Sequence, residues 1–171
     1  MFTFFMPSCA PRLRCKLGPM DTTTTHSWLC QRIVEEAQAG IIFADKGGII
    51  RLWNSGAEAM FGYTAAEAIG QSMEAMIIPE KHRARHDEGW ARVMQTGITK
   101  YGRDALAVPA MRKDGTRISI EFTIVLVRSA EGGVMGAAAI VQDVTARWER
   151  DKALRARLAA LESQAAGPPR P

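Results

Sequence analysis

The chain has 171 residues, 47% of them hydrophobic, with a formal net charge of +4; that suffices for one domain with a buried core plus tails. Basic residues are scattered over residues 12–16, 81–92 and 147–157 with acids between most of them, which reads as solvated faces and excludes a concentrated nucleic-acid footprint. No apolar run approaches the length of about 18 residues that spans a membrane, and Cys9, Cys15 and Cys30 form no CxxC or CxxCH pattern, so a reducing cytoplasm is expected and a disulfide or zinc scaffold is not.

Residues 1–25 read as a disordered extension. MFTFFM is too short for the apolar region of a signal peptide and precedes the basic residues, and Pro7, Pro11 and Pro19 interrupt the stretch after it. Met20 is an alternative start. Residues 26–40 hold a short amphipathic helix, 26–38, with Ser27 as N-cap and Trp28, Leu29, Ile33 and Ala37 on one face. Gly40 breaks it.

Residues 41–45 and 49–54 are β-rich runs joined by Asp45-Lys46-Gly47-Gly48, which supplies the positive φ angles of a tight hairpin. Residues 55–61 and 65–68 are short helices stopped by Gly62 and Gly70. The next helix, within residues 77–97, has Pro79 and Glu80 in its first turn and Gly97 as a left-handed C-cap. His86, Trp90, Val93 and Met94 share one face, with His82 four residues earlier. Spacing leaves two readings of His86 open: a cofactor ligand, or a partly buried histidine with a hydrogen-bond partner.

Three strands come next. Residues 103–111 are extended, with Pro109 marking an edge or bulge. Residues 112–115 (RKDG) turn the chain into 116–128, where Ile118, Ile120, Phe122, Ile124 and Leu126 alternate with polar residues. Residues 134–141, small and apolar, suit a central strand packed on both sides. Asp143-Val144-Thr145 then opens a helix over 146–164 with a Leu154, Leu158, Leu161 stripe, and a proline-rich tail ends the chain. The order predicts an α+β fold: a five-stranded antiparallel sheet with short helices and one longer helix on one face, and the Ile118–Leu126 side buried against the His86 helix. No GxxxxGK[ST], HExxH or GxSxG pattern occurs, and no kinase body follows, so catalysis by this chain is not expected.

The segments IIFADKGGIIRLWNSGAEAMFGY (41–63), EAIGQ (67–71), RKDGT (112–116) and AAAIVQDVT (137–145) together resemble a PAS sensor domain. The resemblance implies a PAS domain over 41–145, a C-terminal signalling helix over 146–165 and a disordered tail over 166–171. PEKHRARHD (79–87) is similar to the proximal-histidine segment of the haem-binding FixL-type oxygen sensors. That similarity implies haem b as cofactor with His86, not His82, on the iron. It places Arg92 and Lys100 where basic groups meet the propionates, and Phe122 and Ile124 on the apolar wall of the distal pocket. Leu106 stands where the family has a distal arginine, so bound dioxygen would lack a charge-assisted hydrogen bond. Residues 41–145 contain no cysteine, which excludes flavin and coumaryl photosensors that use one; non-covalent FAD, or no cofactor, are the alternatives. Signal transduction would then run through residues 144–164 to a homodimer or a separate output protein such as a sensor kinase or a regulator of transcription, with no direct contact to nucleic acid or membrane.

Overall fold

The computed structural model describes residues 24–99 and 105–165. Of the expected disordered extension over residues 1–25, Thr24 and Thr25 instead open a helix; its residues 1–23, the tail after Ala165 and Lys100 all lie outside the described residues. In order the elements are α1 (Thr24–Glu36), β1 (Gly40–Asp45), β2 (Ile50–Trp53), α2 (Ser55–Phe61), α3 (Ala65–Ala68), α4 (Met73–Ile77), α5 (Glu80–Thr96), β3 (Leu106–Met111), β4 (Arg117–Arg128), β5 (Val134–Asp143) and α6 (Thr145–Ala165). The strands form one antiparallel sheet in the order β2-β1-β5-β4-β3, the architecture expected from the sequence. Pro109 sits on the edge strand β3, where a missing N–H costs least.

Turns obey their chemistry. Gly48 has a φ of 74°, and the Asp45 carboxylate accepts the Gly47 and Ile49 N–H groups at 2.9 and 3.2 Å. That side chain pins the β1–β2 turn from inside. Gly97 closes α5 at a φ of 66°, its N–H donating to the Val93 carbonyl. Helix α3 carries a full capping box between Thr64 and Glu67.

The core lies between the inner side of the sheet and α2–α4. Ile42, Ile50, Trp53, Phe61, Ile77, Ala110, Ile118, Ile120 and Val141 belong to one buried cluster. Trp53 and Phe61 rings meet at 5.3 Å, tilted by 45°, and the Trp53 indole donates to the Tyr63 carbonyl at 3.0 Å, so the ring is packed without orphaning its N–H.

Several expectations are corrected. Helix α1 starts at Thr24, so Ser27 lies inside the helix and does not cap it. Trp28 and Ile33 are exposed; α1 rests on α2 through its C-terminal end and its apolar stripe does not enter the core. Pro79 is the N-cap of α5, one residue outside the first turn. Helix α4, capped by the Ser72 hydroxyl on the Ala75 N–H, has no counterpart among the expected elements. Strand β5 is central, yet Ile140 on the sheet's outer side is exposed, so that strand is not packed on both sides. Most important for function, on the inner side of β4 only Ile118 and Ile120 are buried; Phe122, Ile124 and Leu126 are half-exposed, and α5 has no fully buried residue. The His86 helix does not seal that side.

Candidate functional site

Helix α5 turns one stripe toward the body. His82, His86, Gly89, Trp90, Val93 and Met94 are half-buried, while Lys81, Arg85, Asp87, Glu88 and Arg92 are exposed, the two-sided pattern a 3.6-residue period dictates. What fixes the helix is polar and peripheral. Arg83 donates through Nε to the Ile78 carbonyl at 3.2 Å and through Nη2 to that of Ala75 at 3.1 Å, which ties the first turns to α4. The Trp90 indole donates to the Lys46 carbonyl in the β1–β2 turn at 3.0 Å. Arg128, at the end of β4, donates to the Gly97 carbonyl at 2.8 Å and to the Gly132 carbonyl at 3.1 Å.

These tethers locate α5 over one end of the sheet. The β1–β2 turn and the β4–β5 turn flank the same edge, because Leu126 pairs with Ala137 and Ala137 with Ala44. At that edge Ala44 and Ala137 are buried, whereas the inner side of β4 is half-exposed at Ile124 and Leu126. At the opposite end Ala110, Ile118 and Ile120 are buried under the short helices. The sheet's inner surface is thus buried at Ile42, Ala44, Ala137 and Val141 of β1 and β5, and apolar but incompletely covered along β4 beyond Ile120.

His86 belongs to the inward stripe, and its side chain is 27% exposed. Its ring stacks on Trp90 with centroids 5.9 Å apart and planes 25° from parallel. Nδ1 lies 3.4 Å from an Asp87 carboxylate oxygen, and among the described residues no hydrogen bond reaches Nε2. Trp90 therefore does two things at once: it anchors α5 to a turn and sets the plane of the imidazole. Of the other candidates, Leu106 and Phe122 face each other as a cross-strand pair, with Ile124 next along the same side of β4. All three are half-exposed. Arg92 is exposed and lies about 120° around the helix from His86 at 100° per residue; it is not brought to the imidazole's side. Lys100 is outside the described residues. The Arg128 and Arg83 clamps are not legible in the sequence, since each grips backbone carbonyls and leaves no side-chain pattern.

A family model of the PAS fold matches residues 29–144. The chain belongs to the PAS family. Among curated proteins it is similar to the sensor protein FixL of Bradyrhizobium diazoefficiens, 32% identical over 150 residues that cover 86% of this chain and 27% of the relative. It is also similar to the oxygen sensor protein DosP of Escherichia coli, 26% identical over 129 residues, covering 75% of this chain and 16% of the relative. Among solved structures, the PAS domain of a Colwellia psychrerythraea protein superposes with a TM-score of 0.61 at 22% identity, covering 70% of this chain and 98% of that one; at that identity the likeness concerns the fold. The chain spans about a quarter or less of the length of these curated relatives, and as a PAS domain it is a sensory module of signal transduction. No helix among the described residues is long and apolar enough to cross a membrane.

In this PAS domain the exit toward α6 is a polar latch. Asp143 accepts the Thr145 N–H at 2.8 Å through one carboxylate oxygen and Arg112 Nη2 at 2.7 Å through the other. The Thr145 hydroxyl accepts the Ser119 N–H at 2.9 Å, and the Val144 N–H donates to the Ser119 carbonyl at 2.9 Å. Arg147 pairs with Glu121 on β4. The root of α6 is thereby fixed to β4 and to the β3–β4 turn.

Burial pushes the Asp143 carboxyl up, but Thr145, through hydroxyl and backbone, and the Arg112 guanidinium outweigh it, so its pKa lies below the ordinary value. The charged form is the one the fold favours. The latch's contribution is therefore full above the unfolded aspartate value of about 3.9 and is lost as pH falls through the lower folded value. A carboxyl-carbon NMR titration is expected to give Asp143 a midpoint below that of a peptide aspartate, moving upward in Arg112→Ala. A peptide-like midpoint in the intact chain contradicts the latch.

Proposed function

We propose that this PAS module holds a small ligand between the inward stripe of α5 and the half-exposed inner side of β4, and passes its state on by protein contact through α6. One observation carries the reading: α5 is held by polar tethers at its ends and rim, yet buries no residue of its apolar stripe. A helix meant only to seal a core gains about 1.5–3 kcal/mol per large apolar side chain it fully buries; this one forgoes that gain above an apolar surface.

Haem b is the ligand whose chemistry the residues suit. His86 offers a ring nitrogen free of hydrogen bonds among the described residues, on the inward stripe, while its Nδ1 lies toward the Asp87 carboxylate. Histidine ligands commonly donate their second nitrogen to such a group, which fixes the ring and raises its basicity. Leu106, Phe122 and Ile124 offer an apolar wall that keeps water off the ligand's face. When bound, haem supplies an iron that takes up a diatomic gas or an electron. His86 would hold that iron; Arg92 and Lys100 are the propionate partners that the FixL-type resemblance assigns, and Arg92 would have to reach around the helix to serve. Leu106 has no hydrogen to donate, so the pocket offers carbon monoxide and nitric oxide more than it offers dioxygen.

The absorption spectrum of protein purified from haem-sufficient cells separates the readings. A Soret band is expected. Flavin bands would move the proposal to FAD, and a colourless protein that takes up no added hemin would leave a cofactor-free interaction module or a metabolite sensor. The outputs in keeping with α6 are a second copy of the chain and a separate kinase or regulator.

A further inference from the structure

Haem on His86 leaves His82 without a role. Both histidines lie on the inward stripe of α5, and both are half-buried. Four residues separate them, about 40° around the axis and about 6 Å along it, so their Cβ atoms are about 5–6 Å apart. Helical side chains lean toward the N-terminus. That is how Trp90 meets the His86 ring, and it brings the His86 ring in turn toward His82. Among the described residues no hydrogen bond reaches the His82 ring or Nε2 of His86.

The surroundings favour a cation at this place. Arg83 is turned away, its guanidinium donating to the Ile78 and Ala75 carbonyls, and Lys81 and Arg85 are exposed. The Asp87 carboxylate lies 3.4 Å from Nδ1 of His86. With a proton on Nδ1 facing that carboxylate, Nε2 presents its lone pair and gains basicity. There is also room. Gly89 lies on the same stripe, two turns on from His82 and beside His86. Glycine weakens a helix interior, and no packing requires it here: a Cβ at Gly89 would meet nothing within 4 Å.

We propose that His82 and His86 together chelate one divalent transition-metal ion, with water completing its coordination. Two imidazole nitrogens, each about 2.0–2.1 Å from a shared ion, are about 3 Å apart, within reach of rings one turn apart on a helix. Imidazole selects zinc, nickel or copper over magnesium and calcium, which require oxygen ligands. Among the described residues no third His, Cys, Asp or Glu joins the pair. The ion therefore keeps open positions and exchanges with solution, unlike the closed four-ligand sites that hold a fold together. It takes the same nitrogen that haem would take, so the two occupants exclude each other. The chelate itself stands on the two histidines; only the exclusion rests on the haem reading above.

The test uses the full chain carrying Cys9→Ser, Cys15→Ser and Cys30→Ser, because Cys30 lies 3.7 Å from His26 one turn away on α1 and would compete for the ion. Zinc chloride titrated by calorimetry should bind at one ion per chain, and excess magnesium should not displace it. The ring-proton NMR signals of His82 and His86 should shift together while that of His26 stays. His82→Ala and His86→Ala should each weaken binding at least tenfold and keep the far-ultraviolet dichroism of the parent. Adding Arg85→His to His82→Ala restores the number of imidazoles but not their one-turn spacing, and should not restore binding. Saturating zinc should hold back hemin uptake in the parent and not in His82→Ala. Zinc binding that is equal in the parent and His82→Ala, or that Arg85→His restores, overturns the chelate. A chain that takes up hemin on His86 but binds no zinc overturns this inference and leaves the haem reading standing. A chain that binds zinc through both histidines but takes up no hemin supports this inference and overturns the haem reading.

Discussion

Gly136→Ala is expected to destabilise the domain by about 3 kcal/mol or more, at or beyond the upper end for an overpacked core. Gly136 lies in β5, the middle strand, between Asp45 of β1 and Val127 of β4. A methyl group there would sit 2.1 Å from the Ala44 carbonyl oxygen and 2.8 Å from the Phe43 ring. The ring could turn aside; the carbonyl belongs to a neighbouring strand and cannot move without breaking the ladder. Two thermal or denaturant unfolding curves check this. Gly136→Ala should lose stability, and Phe43→Ala added to it should not recover the loss. Full recovery would show that the ring, and not the backbone, is the obstacle.

Asn54→Ala should cost about as much by a different route. Asn54 is 4% exposed. Its carbonyl oxygen accepts the Ile41 N–H at 2.7 Å and the Ala57 N–H at 3.0 Å, capping α2. Its amide donates to the carbonyls of Val34, Ala37 and Ala39 at 2.9, 3.1 and 3.0 Å. One side chain thus ties together α1, the segment after it, β1 and α2. Loss of the cap costs about 1 kcal/mol, and each buried backbone group left without a partner adds about 1 kcal/mol or more. A total of about 3 kcal/mol corresponds to a fall of roughly 10 °C in Tm for a domain of this size. Asn54→Asp separates the two halves of the effect: it keeps the acceptor for α2 but points a carboxylate at three carbonyl oxygens. Both variants should become open to protease between residues 34 and 39, and a variant as resistant as the parent would contradict the account.

Both of these positions bear on what a reading of residues alone can reach. The N-x-x-A-x-x-x-F-G-Y run marks Asn54 as special because it carries the family resemblance, but nothing in the spelling shows three carbonyls gathered around one amide. The strands of the central hairpins are legible because alternation and Asp-Gly turns are local signals. Helix α4 is not, since five residues are too few to display a period, although Ser72 ahead of Met73 and Glu74 is a usable cap signal. Alternation in β4 tells which side faces inward, not how much of it is covered. That depends on how closely α5 approaches, and its distance is set by Trp90 on Lys46 and Arg128 on Gly97, contacts to backbone carbonyls 44 and 31 residues away in the chain. Exposure of the α6 leucines is equally invisible: a stripe states that a partner is wanted without stating whether the partner is the same molecule's sheet.

The central claim is that the imidazole of His86 serves a ligand held between α5 and the half-exposed inner side of β4. The most direct measurement is a hemin titration of the intact chain followed in the Soret region, beside His86→Ala and His82→Ala. Saturation at one hemin per chain in the parent and in His82→Ala, with a shifted, weakened band in His86→Ala, is the predicted result. Identical titrations for all three proteins, or a band lost with His82 instead, would contradict it.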